Sequence, residues 1–265
     1  VEVFPRLVAA DYHSDFATSP RTTGSSELDE MLGGGLVPGT NLLLLGPSGI
    51  GKTTTAVRCM AGALERGQRA SYYLFDEGQP TLLARSRALG MDLVPHSQRG
   101  LLNIMQIDPA QMSPGEFANR VMHAVKQEGS SFVVIDSLNA YLQAMPGQSF
   151  LLLHLHELLT FLNQQGVMTL LIVGQHGLVG EGRSDIDLSY LSDTILLYRY
   201  FEARGEVRAA VTAVKSRTAG NQRSIRELRL SAELGLQVGQ ALNNFEGVLS
   251  GLPTYRGSTP LLAEQ

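Results

Sequence analysis

Cysteine, net charge and long apolar runs are all scarce in this sequence, and each scarcity excludes something. Cys59 is the only cysteine among 265 residues, so no internal disulfide can form, and we expect a protein of the reducing cytoplasm. The formal net charge is only -4, whereas domains that bind nucleic-acid backbones usually carry a basic excess. The charge balance therefore counts against a general nucleic-acid-binding protein.

The longest apolar runs are far too short to span a bilayer, and no charged-then-apolar leader opens the chain. We therefore expect no attachment to a membrane. Hydrophobic residues make up 43% of the chain and charged residues 17%, which is ordinary for a globular protein. A chain of this length can hold one large α/β domain or two small ones.

Short apolar runs alternate with helical patterns along most of the chain. Strand-length runs lie at residues 39–46, 70–75, 101–107, 132–138 and 167–175. This alternation is typical of an α/β fold with a doubly wound, mainly parallel sheet. After residue 190 the pattern changes to two strands around a turn at 203–207, which predicts an antiparallel hairpin at the edge of the sheet.

A phosphate-binding loop is predicted where the first of these runs ends. The sequence Gly-Pro-Ser-Gly-Ile-Gly-Lys-Thr completes the pattern G-x-x-x-x-G-K-[ST] between a predicted strand and a predicted helix. Backbone N–H groups of such a loop surround phosphates, Lys52 would reach the β- and γ-phosphates of ATP, and Thr53 would ligand Mg²⁺. The predicted nucleotide-binding residues are Gly46, Pro47, Ser48, Gly49, Ile50, Gly51, Lys52, Thr53 and Thr54.

Acidic residues follow two other predicted strands. Asp136 ends the run "FVVID", and a carboxylate there would complete the Mg²⁺ site at the carboxyl edge of the sheet. Asp76 and Glu77 follow "YYLF", and one of them could take a proton from the attacking water or hydroxyl. Adjacent strand residues point to opposite faces, so at most one of the pair should face the γ-phosphate. A solvated turn is the alternative for this pair.

Gln175 and His176 follow the run at 167–175. Either side chain could sense or orient a γ-phosphate at the same edge of the sheet. On spacing alone, two polar loop residues are an equally good interpretation.

These motifs, in this order, resemble the KaiC family, a branch of the RecA-like P-loop ATPases. The similar blocks are residues 22–54, "LFDEG", "FVVIDSL", "SDIDLSYLSDTILLYRYFEARGEVRAAVTAVKSR" and "NNFEGVLSGLPTY", so the resemblance covers roughly residues 20 to 257. It implies a RecA-like P-loop fold and a Mg²⁺-dependent ATPase that assembles as a ring, typically a hexamer, with ATP between neighbours. Glu77 would then activate the nucleophile, with Asp76 in support.

The resemblance also implies contacts across the subunit boundary. Lys215 and Arg217 would reach the γ-phosphate held by a neighbour, and Ser189 aligns with a serine that the clock member of the family phosphorylates. Tyr190 stands where that member has a threonine, so a two-site phosphorylation cycle is not expected. Single-site autophosphorylation of Ser189 by ATP, with the neighbour's Glu77 as the base that deprotonates it, stays open. A plain loop serine is the alternative.

The sequence departs from the family just after Arg217. Thr218 stands where the family usually has glycine, and Asn221 lies near a position that is often histidine. The details of the contacts between subunits are therefore not implied.

The opening "VEVFPRLVAA" is similar to the segment that closes one repeat in double-domain members. The chain is therefore predicted to be a second KaiC repeat, with the end of a preceding repeat at 1–19, the ATPase domain at 20–250 and a tail at 251–265. The expected output is signalling through an unknown protein partner. The alternatives are a DNA-handling RecA-type ATPase and a non-hydrolysing, ATP-gated scaffold.

Overall fold

The computed structural model describes residues 7–108, 110–143, 148–175, 189–217, 220, 222–233, 235–250 and 252–257. The helices are α1 (Ser26–Met31), α2 (Lys52–Glu65), α3 (Gln79–Ala88), α4 (Val94–Gln98), α5 (Pro114–Lys126), α6 (Leu138–Gln143) and α7 (Gln148–Gln164). The strands are β1 (Asn41–Gly46), β2 (Arg69–Leu74), β3 (Leu102–Gln106), β4 (Ser130–Asp136), β5 (Met168–Gly174), β6 (Thr194–Ala203), β7 (Glu206–Ser216), β8 (Arg226–Ser231), β9 (Gly235–Ala241), β10 (Phe245–Glu246) and β11 (Thr254–Tyr255).

Nine of these strands form one sheet in the order β3-β2-β4-β5-β1-β6-β7-β8-β9. Neighbouring strands from β3 to β6 pair in parallel, and those from β6 to β9 pair antiparallel. The α/β fold with a mainly parallel sheet, predicted from the alternation of strands and helices, is confirmed. It is the architecture of a RecA-like P-loop protein.

The antiparallel hairpin β6–β7 forms as predicted, but it is followed by two strands that the sequence did not predict. β8 and β9 extend the sheet beyond β7, so the outermost strand is β9. β8 was missed because it is rich in charge and, of its six residues, only Leu228 is buried. Its alternation of apolar and polar residues is therefore too weak to predict a strand.

Alternating side chains of the central strands pack into two separate cores, one on each face of the sheet. Leu42 and Leu44 of β1 pack in the same core as the buried face of α2. Leu43, between them, packs on the opposite face in the core that includes α5 and α7. Because both faces are covered by helices, the central strands are almost continuously apolar, as buried parallel strands are.

The first described residues pack against α7. Ala9 is buried, and its backbone N–H donates to Glu157 Oε2 at 3.0 Å. The rings of Tyr12 and Phe161 meet edge to face with centroids 5.2 Å apart. This segment contributes to the core that includes α5 and α7. The domain boundary at residue 20 stays a prediction.

None of the helices in the described ranges is long and apolar enough to cross a membrane.

Candidate active site

A cleft of about 680 Å³ opens at the carboxyl ends of the central parallel strands. Strand ends and helix starts converge there, as they do in nucleotide-binding α/β sheets. Among its lining residues are Ser48, Gly49, Gly51, Lys52, Thr53, Thr54, Asp76, Glu77, Arg85 and Asp136. The cleft therefore brings together most of the loop with both predicted acidic positions.

The loop between β1 and α2 depends on glycine at particular positions. Gly49 and Gly51 have φ values of 77° and 105°, in the left-handed region that glycine favours. A Cβ atom on Gly46 would lie 2.7 Å from Cβ of Tyr198, so glycine allows β1 and β6 to approach there. Of the predicted set, Gly46, Pro47 and Ile50 support the loop and do not line the cleft.

Lys52 lies in the first turn of α2, and its ammonium group is held by the loop itself. Nζ donates to the carbonyl oxygens of Gly46 at 2.8 Å and Pro47 at 2.7 Å. Burial lowers the pKa of Lys52 to about 8, and the nearby Asp136 carboxylate opposes this shift. The lysine is thus a buried cation beside a loop of backbone N–H groups, which suits it to a phosphate ligand.

Asp136 ends β4 as predicted and accepts two hydroxyl donors on one oxygen. Thr53 Oγ1 and the Tyr72 hydroxyl each donate to Oδ2 at 2.8 Å. Burial raises the pKa of Asp136, and the hydrogen bonds from Tyr72 and Thr53 act against that rise. Tyr72 was not identified from the sequence, because it reads only as a buried residue of β2.

Thr53 and Asp136 fit a Mg²⁺ ion. Both side chains offer oxygen atoms, the ligands that Mg²⁺ prefers. The two side chains are also in direct contact through a hydrogen bond. The described residues contain no group of three or more His, Cys, Asp or Glu placed to hold a metal. A magnesium-nucleotide site does not need one, because phosphate oxygens and water complete the shell.

Asp76 and Glu77 follow the end of β2, and both line the cleft. That at most one of them faces a γ-phosphate stays a prediction. The Ser137 hydroxyl donates to Asp76 Oδ2. Glu77 is held by Arg85 of α3, whose two terminal nitrogens donate to Oε1 and Oε2, each at 2.8 Å.

Gln175 follows β5 and lies beside the start of the loop. Its backbone N–H donates to the carbonyl oxygen of Gly46 at 3.0 Å, and its side-chain oxygen accepts a hydrogen bond from Arg199. The Asn139 amide holds the last residue of β5 through two hydrogen bonds to the backbone of Gly174. A role for Gln175 as phosphate sensor stays a prediction, and His176 lies outside the described residues.

Lys215 lies at the opposite end of the sheet from this chain's own loop. Ile195 of β6 pairs with Leu43 of β1 on one side and with Lys215 of β7 on the other. Leu43 lies three residues before Gly46, the first residue of the loop. At about 3.3 Å per residue, Lys215 lies roughly 10 Å below the loop along the strand direction, and two strands away. It is therefore not placed to contact a phosphate bound in the same chain.

The three residues that the resemblance assigned to the subunit boundary lie together. Lys215 Nζ donates to the carbonyl oxygens of Ser189 at 2.5 Å and Ser192 at 2.7 Å. Arg217 donates to the carbonyl oxygen of Tyr190 and pairs with Asp193, both at 3.3 Å. Ser189 thus shares one surface with both cations. Thr218 and Asn221 lie outside the described residues.

Three residues near the loop had no signal in the sequence. Leu228 and Leu230 of β8 lie 3.2 Å from the position of a Cβ atom on Gly51, so the unpredicted strand covers one side of the loop. Arg85 is one of two arginines on α3, and sequence spacing does not separate their roles.

Comparison with known proteins gives a consistent result. A family model described as "ATPase: KaiC" matches residues 21–242. The circadian clock protein KaiC3 of Synechocystis sp. is 28% identical over 235 residues, which are 88% of this chain and 46% of the relative. The circadian clock oscillator proteins KaiC of Acaryochloris marina and Synechococcus elongatus are 28% and 27% identical, again over 88% of this chain and over 44% and 45% of their own length. The chain spans less than half the length of these curated relatives, as one repeat would.

Proposed function

The chain belongs to the KaiC family of ATPases, and on that premise we propose that it binds MgATP in the cleft described above and hydrolyses it between subunits of a ring, typically a hexamer. The observation that carries the proposal is the convergence of Lys52, Thr53, Asp136 and Glu77 on one cleft. These are a phosphate-binding cation, two metal-ligand oxygens and a carboxylate base, which are the parts that phosphoryl transfer requires.

In this mechanism the loop and the start of α2 bind the phosphates through backbone N–H groups. Lys52 exchanges its two carbonyl partners for phosphate oxygens. Thr53 and Asp136 would hold Mg²⁺, which when bound neutralises negative charge on the phosphates. Glu77 accepts a proton from the attacking water as the water oxygen bonds to the γ-phosphorus and ADP leaves. Asp76 supports Glu77 from the neighbouring position.

Lys215 and Arg217 complete the site of the next subunit in the ring. Their distance from this chain's own loop along β1 supports a role in a neighbour's cleft. A cation placed against the γ-phosphate stabilises the charge that develops in the transition state. The interface is then heterologous: one side presents the loop and the other presents the end of β7.

A mixing experiment tests this arrangement. Lys52→Ala removes a loop cation and Arg217→Ala removes a trans cation, so neither variant alone should release phosphate from MgATP. After equal mixing, one interface in four combines an intact loop with an intact Arg217, so we expect roughly a quarter of the wild-type rate. Arg204→Gln, at the other end of the same hairpin, serves as a control and should leave the rate unchanged. A mixture as inactive as its components would contradict hydrolysis between subunits.

We further propose that Ser189 is phosphorylated by the neighbouring subunit and that the phosphorylated state signals to a protein partner. Support comes from the position of Ser189 on the surface that carries Lys215 and Arg217. Intact mass after incubation with MgATP should show one phosphate on the wild type and none on Ser189→Ala. An unchanged mass while ADP accumulates would leave a plain ATPase, with Ser189 as a loop residue.

A further inference from the structure

The carboxylate of Glu77, the proposed catalytic base, already forms an ion pair within the chain. Arg85 donates to both carboxylate oxygens of Glu77 at 2.8 Å, which is the two-point geometry that makes such pairs strong. The Glu77 side chain is only 21% exposed and that of Arg85 39%, so the pair lies in the wall of the cleft and not on an open surface. A carboxylate in this contact is turned toward the guanidinium group, not toward a water molecule beside a phosphate.

Arg85 can also reach what the cleft is proposed to hold. Of the described cleft residues, Arg85 and Lys52 are the two with positive charge, and they share the cleft with Ser48 and Thr53 of the loop. A guanidinium group can bind a carboxylate or a phosphate through two oxygens, and a terminal phosphate, with nearly two negative charges at neutral pH, is the stronger partner. A terminal phosphate in the cleft would therefore compete with Glu77 for the same donors.

We propose that Arg85 distinguishes ATP from ADP within its own subunit. In the structure it holds Glu77; when a triphosphate binds, its donors move to the terminal phosphate and Glu77 is released to accept the proton of water. This inference rests on the proposed function and adds to it a residue that couples the presence of the γ-phosphate to the availability of the base.

The neighbouring arginine on the same helix offers a matched control. Arg87 pairs with Asp92 at 3.2 Å, and their side chains are 65% and 41% exposed. Arg87 does not line the cleft. Replacing it removes an arginine and an ion pair from α3 without touching the residues in question.

The experiment compares affinities for MgADP and for the non-hydrolysable triphosphate MgAMP-PNP, using fluorescent mant derivatives. The proteins are the wild type, Glu77→Gln, the double variant Glu77→Gln/Arg85→Gln, and Arg87→Gln. The double variant replaces a charged pair by a neutral pair of similar shape. The double variant removes one positive and one negative charge, so the net charge of the site is unchanged. A loss of affinity therefore indicates a direct contact between Arg85 and the ligand and not a weaker overall electrostatic attraction.

If Arg85 moves to the terminal phosphate, the double variant should bind AMP-PNP about tenfold or more weakly than the wild type, because a charge-assisted hydrogen bond is lost. Its affinity for ADP should stay within about twofold of the wild-type value, as for a substitution that makes no contact. Glu77→Gln alone should bind AMP-PNP more tightly than the wild type, since no ion pair has to break first. Arg87→Gln should behave as the wild type.

Equal affinity of the double variant and the wild type for AMP-PNP would overturn the assignment of Arg85 while leaving the ATPase proposal intact. An equal loss for ADP and AMP-PNP would also overturn it, because that pattern reports damage to the cleft. A wild type that binds neither nucleotide would overturn both proposals. Should the double variant fail to fold, Arg85→Lys keeps the charge but loses the two-point contact, and the preference for AMP-PNP over ADP should then fall by about threefold or more.

Discussion

Raising the pH from 7 to 9 should weaken nucleotide binding, because Lys52 loses its proton in this range. Burial lowers the pKa of Lys52 to about 8, and contact with phosphate would raise it again by favouring the charged form. Below pH 8 both the free and the bound protein carry the proton, so affinity is greatest there. Above pH 8 binding must take up a proton, and affinity falls by about tenfold per pH unit until the pKa of the complex is reached.

The expected size follows from the fraction of free protein that is charged at Lys52. With a pKa near 8, that fraction is roughly ten elevenths at pH 7 and one eleventh at pH 9, so affinity should fall by about tenfold. Titration with mant-ADP at pH 7, 8 and 9 measures it without hydrolysis, and the second ionisation of phosphate, near pH 6, is almost complete throughout.

Lys52→Arg is the control, because a guanidinium group keeps its proton across this range. Its affinity, whatever its absolute value, should not vary with pH. A wild type with constant affinity from pH 7 to 9, or a Lys52→Arg variant with the same slope as the wild type, would refute the reasoning.

Three further outcomes are expected. Burial raises the pKa of Cys59 to about 12, so a thiol reagent such as DTNB should label it at neutral pH only after unfolding; rapid labelling of the native protein would contradict this burial. Gly166→Ala should lower the free energy of unfolding by about 2–4 kcal/mol, since φ is 70° and the new Cβ would lie 2.5 Å from an aromatic ring. The control Gly67→Ala has a similar φ of 76° and nothing within 4 Å, so it should lower the free energy of unfolding by only about 1 kcal/mol. Equal losses of stability for the two variants in urea-induced unfolding would contradict the clash at Gly166. Tyr72→Phe removes one of the two hydroxyl donors to Asp136 and should cost about 1–2 kcal/mol in the same assay, whereas an unchanged stability would mean that this bond contributes nothing.

The parts of the fold that could be predicted are those determined by neighbours in sequence. The apolar runs of β1, β4 and β5 are continuous because both faces of these strands are buried. Such runs can be recognised in the sequence alone. The phosphate-binding loop is equally local, since its glycines, Lys52 and Thr53 lie within one short segment. The same applies to Asp136, which ends an apolar run.

The remaining parts depend on contacts between distant segments. The Tyr72 hydroxyl reaches Asp136 across 64 positions of sequence, and nothing in either local pattern indicates that bond. Arg85 and Glu77 are only eight positions apart, but their pairing requires that the turn after β2 and the second turn of α3 face the same cleft, which the sequence does not indicate. β8 is held by pairing with β7 and β9 and not by a strong alternation of its own, so tertiary context decides its conformation.

The most direct test of the account is the release of phosphate from MgATP by the wild type and by Glu77→Gln, with AMP-PNP binding measured on the same samples. We expect the wild type to release phosphate, and Glu77→Gln to bind AMP-PNP at least as well while its turnover falls by about 10²–10⁴-fold, as on loss of a general base. Equal turnover by both proteins would contradict the role of Glu77. A wild type that binds nucleotide without releasing phosphate would contradict the ATPase itself and would favour an ATP-gated scaffold.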